Sequence, residues 1–104
     1  MVKILYKKSY QLNSLKPIKY DDLLGKKGIF STIRILGKKH KFILLNNHIK
    51  NMNTSLIKMN INYIITEKII LELIKPALNK IDNKDNLLRI AINSKIISLS
   101  LRKR

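Results

Sequence analysis

The chain of 104 residues carries 22 Lys and Arg against six Asp and Glu, a formal net charge of +16, on a composition that is 45% hydrophobic and 27% charged. That balance is globular rather than disordered, and the lack of cysteine excludes disulfide scaffolds, thiolate metal sites and cysteine nucleophiles. So large an excess of one sign repels itself, and a polyanionic partner relieves the repulsion while releasing condensed counterions.

Val2 to Tyr6 is a short β-prone run that the pair Lys7-Lys8 is expected to end. Lys16-Pro17 favours extended backbone before the proline, and Tyr20 to Gly28 reads as a loop. Ile29 to Leu36 is rich in β-branched residues, with Phe30, Thr32, Arg34 and Leu36 on one face and Ile29, Ser31, Ile33 and Ile35 on the other. Gly37-Lys38-Lys39 is a tight connection into a second strand over Lys41 to Leu45, which makes a hairpin. The period then changes to a helical one: Ile49, Met52, Leu56 and Met59 form a stripe, with Asn46 or Asn47 as the expected cap. A second helix starts near Thr66, with Glu67 suited to its positive end. Its stripe runs through Ile70, Leu73, Ile74, Ala77, Leu78 and Ile81, and Pro76 should kink it or end it early. Asp82-Asn83-Lys84-Asp85 reads as a polar turn. Leu87 to Ile92 and Ile96 to Leu101 read as two closing strands, followed by a short basic tail, Arg102-Lys103-Arg104. The expected fold is a single α+β domain over 1–104, with a mostly antiparallel sheet of about five strands and two helices packed on one face.

The cations comprise 18 Lys and four Arg, and Ile, Lys and Asn together make up 48 residues. An AT-rich coding sequence supplies those three, so the shortage of acids is more informative than the wealth of lysine. No uninterrupted apolar run approaches the roughly 20 residues that span a bilayer. Met1 to Lys8 has neither a signal-peptide nor a transit-peptide pattern. The expected setting is an organelle that makes the protein itself, mitochondrion or plastid, or otherwise the cytoplasm; secretion is not expected.

Gly28-Ile29-Phe30-Ser31-Thr32-Ile33-Arg34, then Gly37-Lys38 and a strand, then Asn47-His48-Ile49-Lys50-Asn51-Met52-Asn53-Thr54-Ser55-Leu56, follow one another as in a known half-protein. In this the chain resembles the first domain of class IV pyridoxal-phosphate aminotransferases, the family of branched-chain and D-amino-acid aminotransferases and aminodeoxychorismate lyase. That family's pattern is approximately Gly-x-Phe-Glu-x-x-Arg, a strand, and Glu-His-x-x-Arg-Leu-x-x-Ser. Leu88 to Ile92 is similar to its strand after the second helix, so the likeness runs from Val2 to Leu101. The resemblance implies a Schiff-base lysine in a second domain that this chain does not reach. It implies an arginine for the cofactor phosphate at the position of Asn51, and two glutamates at the positions of Ser31 and Asn47. An amide cannot make the forked, charge-assisted contact of a guanidinium. What the pattern keeps is packing: Phe30, Ile33, His48 and Ser55. The resemblance therefore implies a retained scaffold without its chemistry, with no cofactor. The alternative is half of a split or truncated class IV enzyme whose partner chain supplies the lysine.

His48 is expected to bond a nearby backbone group at a helix start, and His40 to be solvated in a turn; neither has a partner at a spacing that makes a dyad. Gly25-Lys26-Lys27-Gly28 lacks the spacing of a phosphate-cradling loop and reads as a basic loop. The basic clusters are Lys7-Lys8, Lys16 with Lys19, Lys26-Lys27, Lys38 and Lys39 with Lys41, and Arg102-Lys103-Arg104. Placed in turns and at termini, they can follow phosphates, which gives affinity rather than sequence readout. Tyr6, Tyr10 and Tyr20 interleave with the first clusters and can stack on bases or pack in the body of the protein. These residues are the expected RNA-binding set, with no catalytic, cofactor or metal-binding residue assigned. The expected function is a non-enzymatic RNA-binding subunit of a ribosome, in contact with rRNA and neighbouring subunits, with no membrane and no small-molecule substrate.

Overall fold

The computed structural model describes residues 4–81 and 85–104. Strand alternation and helical periodicity place the elements in the order β1 (Ile4–Gln11), β2 (Pro17–Ile18), β3 (Ile29–Leu36), β4 (Lys41–Phe42), α1 (Leu45–Lys58), α2 (Glu67–Ile74), β5 (Asp85–Ile92) and β6 (Ile96–Lys103). The strands form one antiparallel sheet in the order β2-β1-β6-β5-β3-β4. Among the described residues it has six strands rather than the expected five, because the edge is filled by the two-residue strand that begins at Pro17, after the turn at residues 12–14.

Register assigns the faces. Ile29, Ile33 and Ile35 of β3 lie opposite Ile92, Leu88 and Asn86 of β5, and Ile92, Ile90 and Leu88 lie opposite Ile97, Leu99 and Leu101 of β6. All but Asn86 belong to the main core, with Met52 and Leu56 of α1 and Ile70, Leu73 and Ile74 of α2. Each such side chain, fully buried, contributes about 1.5–3 kcal/mol relative to exposure. The alternation expected for Ile29 to Leu36 is therefore the observed one, with Phe30, Thr32 and Arg34 exposed. Gly28 enters β3 so close to its neighbour that an added Cβ would lie 2.6 Å from the carbonyl oxygen of Ile92.

Several boundaries differ from the sequence expectations. The lysine pair does not end the first strand: β1 runs through Lys7 and Lys8 to Gln11, because pairing with β6 continues from Lys7↔Ser100 to Gln11↔Ile96. The strand expected over Lys41 to Leu45 is cut to Lys41–Phe42 after a 3-10 turn at Gly37–Lys39. Asn46 and Asn47 are not caps. A side-chain cap needs an extended residue before the helix, whereas Leu44 is left-handed, with φ 54°, and α1 begins at Leu45. Arg102 and Lys103 are not a tail but the end of β6, and the Arg104 N–H donates to the Asp85 carbonyl. The turn expected at Asp82 to Asp85 lies, for residues 82–84, outside the described residues.

The second helix follows its sequence closely. The Thr66 hydroxyl accepts the Ile69 N–H at 3.2 Å, and the α-helix stops at Ile74, continuing past Pro76 as a 3-10 segment, Lys75–Lys80. Asn53 ties the segment before it to α1, accepting the Ile65 N–H at 2.8 Å and donating to the Ile65 carbonyl at 2.9 Å. Among the described residues no helix is long and apolar enough to cross a membrane.

Candidate nucleic-acid interface

The helices leave the other side of the sheet uncovered, and the register writes its residues out in rows. Phe30, Ala91, Ser98 and Ser9 form one row across β3, β5, β6 and β1. Thr32, Arg89, Ser100 and Lys7 form the next, and Arg34, Leu87 and Arg102 the one beyond. Three of the chain's four arginines thus share one face of three adjacent strands. Two interstrand spacings, roughly 10 Å, separate the Arg89 and Lys7 positions.

Beyond Phe30 the first row is made of small, buried residues, Ala91, Ser98 and Ser9, because a loop lies on them. Residues 19–28 must travel from β2 at one edge to β3 near the other, and they cross this face. The Ser9 hydroxyl accepts the Asp21 N–H at 2.9 Å, the Ser98 hydroxyl donates to the Asp21 carbonyl at 2.5 Å, and the two hydroxyls lie 2.6 Å apart. Arg89 Nη1 donates to the Asp22 carbonyl at 2.8 Å. Leu23 is buried outside the main core, at a left-handed φ of 60°. Its N–H goes to the Asp21 carboxylate and that of Leu24 to the Asp22 carboxylate, a local turn chemistry that holds the strained residue. The pair Asp21-Asp22 is therefore a turn device.

Two rings flank the cations. The Arg89 guanidinium lies 4.7 Å from the centroid of the half-exposed Phe30 ring, and Lys7 Nζ lies 5.4 Å from that of Tyr20. Charge pairing on this face is partial. Arg34 makes a forked contact to Asp85, which also takes Arg104 at 3.2 Å, so the guanidinium of Arg34 first, then Arg104, holds the Asp85 carboxyl below the ordinary carboxylate range. The Lys26 ammonium, then the Leu23 N–H, does the same for Asp21. Arg89 and Arg102 form no ion pair among the described residues.

The expected RNA-binding lysines divide between the two sides. Lys7 and Arg102 stand on the open face, and Lys19, Lys26 and Lys27 on the loop that crosses it, with Lys26 tied to Asp21. Lys8 is on the helix-bearing side, in register with Leu99. Lys16 is exposed in the β1–β2 turn, and Lys38, Lys39 and Lys41 lie at the β3–β4 end, the last two exposed. Lys103, in register with Asn86, projects from the helix-bearing side at the end of β6, and Arg104 pairs with Asp85. Tyr6 and Tyr10 also turn to the helix side: their hydroxyls lie 3.3 Å apart, and burial, then Tyr6, pushes the Tyr10 phenol far up.

Counting basic clusters missed Arg34, Arg89 and Phe30. For Phe30 and Arg34 the signal was alternation, which had already put both on one face of Ile29 to Leu36 with Thr32 and Leu36. Among the described residues no group of three His, Cys, Asp or Glu is placed to hold a metal ion. His48 Nδ1 lies 2.9 Å from the Ser31 hydroxyl, joining α1 to β3 through a side chain rather than the expected backbone group. Compared with known proteins, the chain matches no family model, no curated protein and no solved structure.

Proposed function

We propose that this protein is a non-catalytic RNA-binding subunit of a ribonucleoprotein, a ribosome of an organelle or of an AT-rich organism, and that the open sheet face is its RNA surface. The observation that carries the reading is the gathering of Lys7, Arg34, Arg89 and Arg102 beside Tyr20 and Phe30 on the one face that the helices leave free, in a chain of charge +16. Guanidinium groups offer forked contacts to phosphate and stack on rings, which lysine does not. Lysines on the crossing loop extend the cationic surface, while neighbouring subunits meet the remaining basic turns.

The test is RNA affinity against salt. Four phosphate contacts to a single strand give a slope near −3 in log affinity against log salt. Raising salt from about 50 to about 200 mM should therefore weaken binding by roughly fifty-fold. Salt-insensitive binding, or no binding at the lower salt, would overturn the reading.

A second reading is half of a class IV pyridoxal-phosphate enzyme. The observation in its favour is that the two segments carrying the resemblance meet, through the Ser31–His48 contact and a cleft shared by Gly28, Phe30 and Ser55. The residues do not fit the cofactor, however: the exposed Asn51 of α1 stands where a phosphate-holding arginine is implied. Mixing the chain with a candidate second half and pyridoxal phosphate should give no absorbance of protein-bound cofactor; its appearance would favour this reading over the first.

A further inference from the structure

We infer that Phe30 is a stacking platform for one unpaired RNA base, seated where the outer edge of β3 has no strand partner among the described residues. The inference rests on the RNA-binding reading above and narrows it to single-stranded or looped RNA. Phe30 is 49% exposed, with its side chain on the face of the sheet that the helices leave free. One side of the ring is engaged by the Arg89 guanidinium at 4.7 Å, itself fixed by the Asp22 carbonyl, so ring and cation hold each other in place. Phe30 also takes part in lining a cleft of about 310 Å³ at this edge, with Gly28, Ile29, Ser55, Lys58 and Met59. Such a volume is at the small end for ligand sites and has room for one base rather than a larger body.

The polar groups around the cleft suit a nucleotide. Lys58 brings a cation and Ser55 a hydroxyl from the end of α1. β4 pairs with β3 through Ile35 and Leu36, so from Ile29 to Ile33 the outer edge has no strand partner among the described residues and its alternate N–H and C=O groups face outward. An aromatic face, a cation for the adjoining phosphate and unpaired backbone groups for a base edge are the elements with which single strands are held. Bases within an RNA duplex remain stacked on one another and cannot reach such a site.

The experiment compares a fluorescent single-stranded RNA 12-mer with a duplex of the same length, using the intact protein and the variants Phe30→Leu, Phe30→Tyr and Lys58→Gln. The single strand should bind more tightly than the duplex. Phe30→Leu should weaken it by about ten-fold, as loss of one stacked base does, and leave duplex binding unchanged. Phe30→Tyr should bind like the parent, and Lys58→Gln should weaken the single strand by a few-fold and flatten its salt dependence. Equal losses on both RNAs, or none in Phe30→Leu while the parent binds RNA normally, would overturn the stacking site and leave the RNA-binding reading standing. Failure of the parent to bind either RNA would overturn both.

Discussion

Replacing Gly28 by alanine should destabilise the protein by roughly 3 kcal/mol, and replacement by valine should leave it largely unfolded at ordinary temperature. The atom in the way is the Ile92 carbonyl oxygen, 2.6 Å from an ideal Cβ, and it is backbone in a central strand. A flexible side chain would swing aside. Here β3 or β5 must move, and the register from Ile29↔Ile92 to Leu36↔Asp85 runs the whole length of both. For a domain of this size about 3 kcal/mol corresponds to a fall of roughly 15 °C in Tm. Gly25 supplies the contrast. It has a φ of +73° and nothing within 4 Å of an added Cβ, so Gly25→Ala should cost only about 1 kcal/mol through backbone strain. Thermal denaturation of both variants checks the pair, and equal shifts would show that the packing at Gly28 yields.

The parts of the fold that were legible in the sequence are those fixed by local patterns. Ile29 to Leu36 places Ile29, Ile33 and Ile35 on one face with Thr32 and Arg34 on the other, Thr66 is a cap whose hydroxyl accepts the N–H three residues ahead, and Pro76 cannot donate within a helix; the structure follows all three. What was not legible depends on partners distant in sequence. Lys7 and Lys8 look like an interruption until β6 pairs with them, and Arg102 and Lys103 look like a tail until β5 does. The same applies to the candidate interface. Lysines in turns are conspicuous along the chain, whereas Arg34, Arg89 and Arg102 are separated by many residues and become one surface through strand order alone. Small residues tell the same story. Ser9, Ala91 and Ser98 carry no signal singly, but in one row they form the bed on which residues 19–28 cross the sheet.

That crossing loop divides the sheet face into a covered half and an open half, which makes the location of RNA contacts testable apart from net charge. Lys7, Lys27 and Arg102 lie on the open face or its bordering loop and form no ion pair among the described residues. Converting all three to glutamine should weaken RNA binding by roughly a hundred-fold at about 50 mM salt and reduce the salt slope by about two, since each lost phosphate contact returns nearly one counterion. Lys50, Lys68 and Lys75 are exposed on the helix-bearing side. Converting those three removes the same charge and should cost less than about five-fold, because exposed charges farther apart than about 10 Å are largely screened at ordinary ionic strength. Both variants should keep the parental Tm within a few degrees, as surface changes of this kind alter stability by about 0.5 kcal/mol or less each. Equal losses in the two triple variants would mean that RNA is held by net charge from any side, and the sheet face would lose its claim to be the surface that meets it.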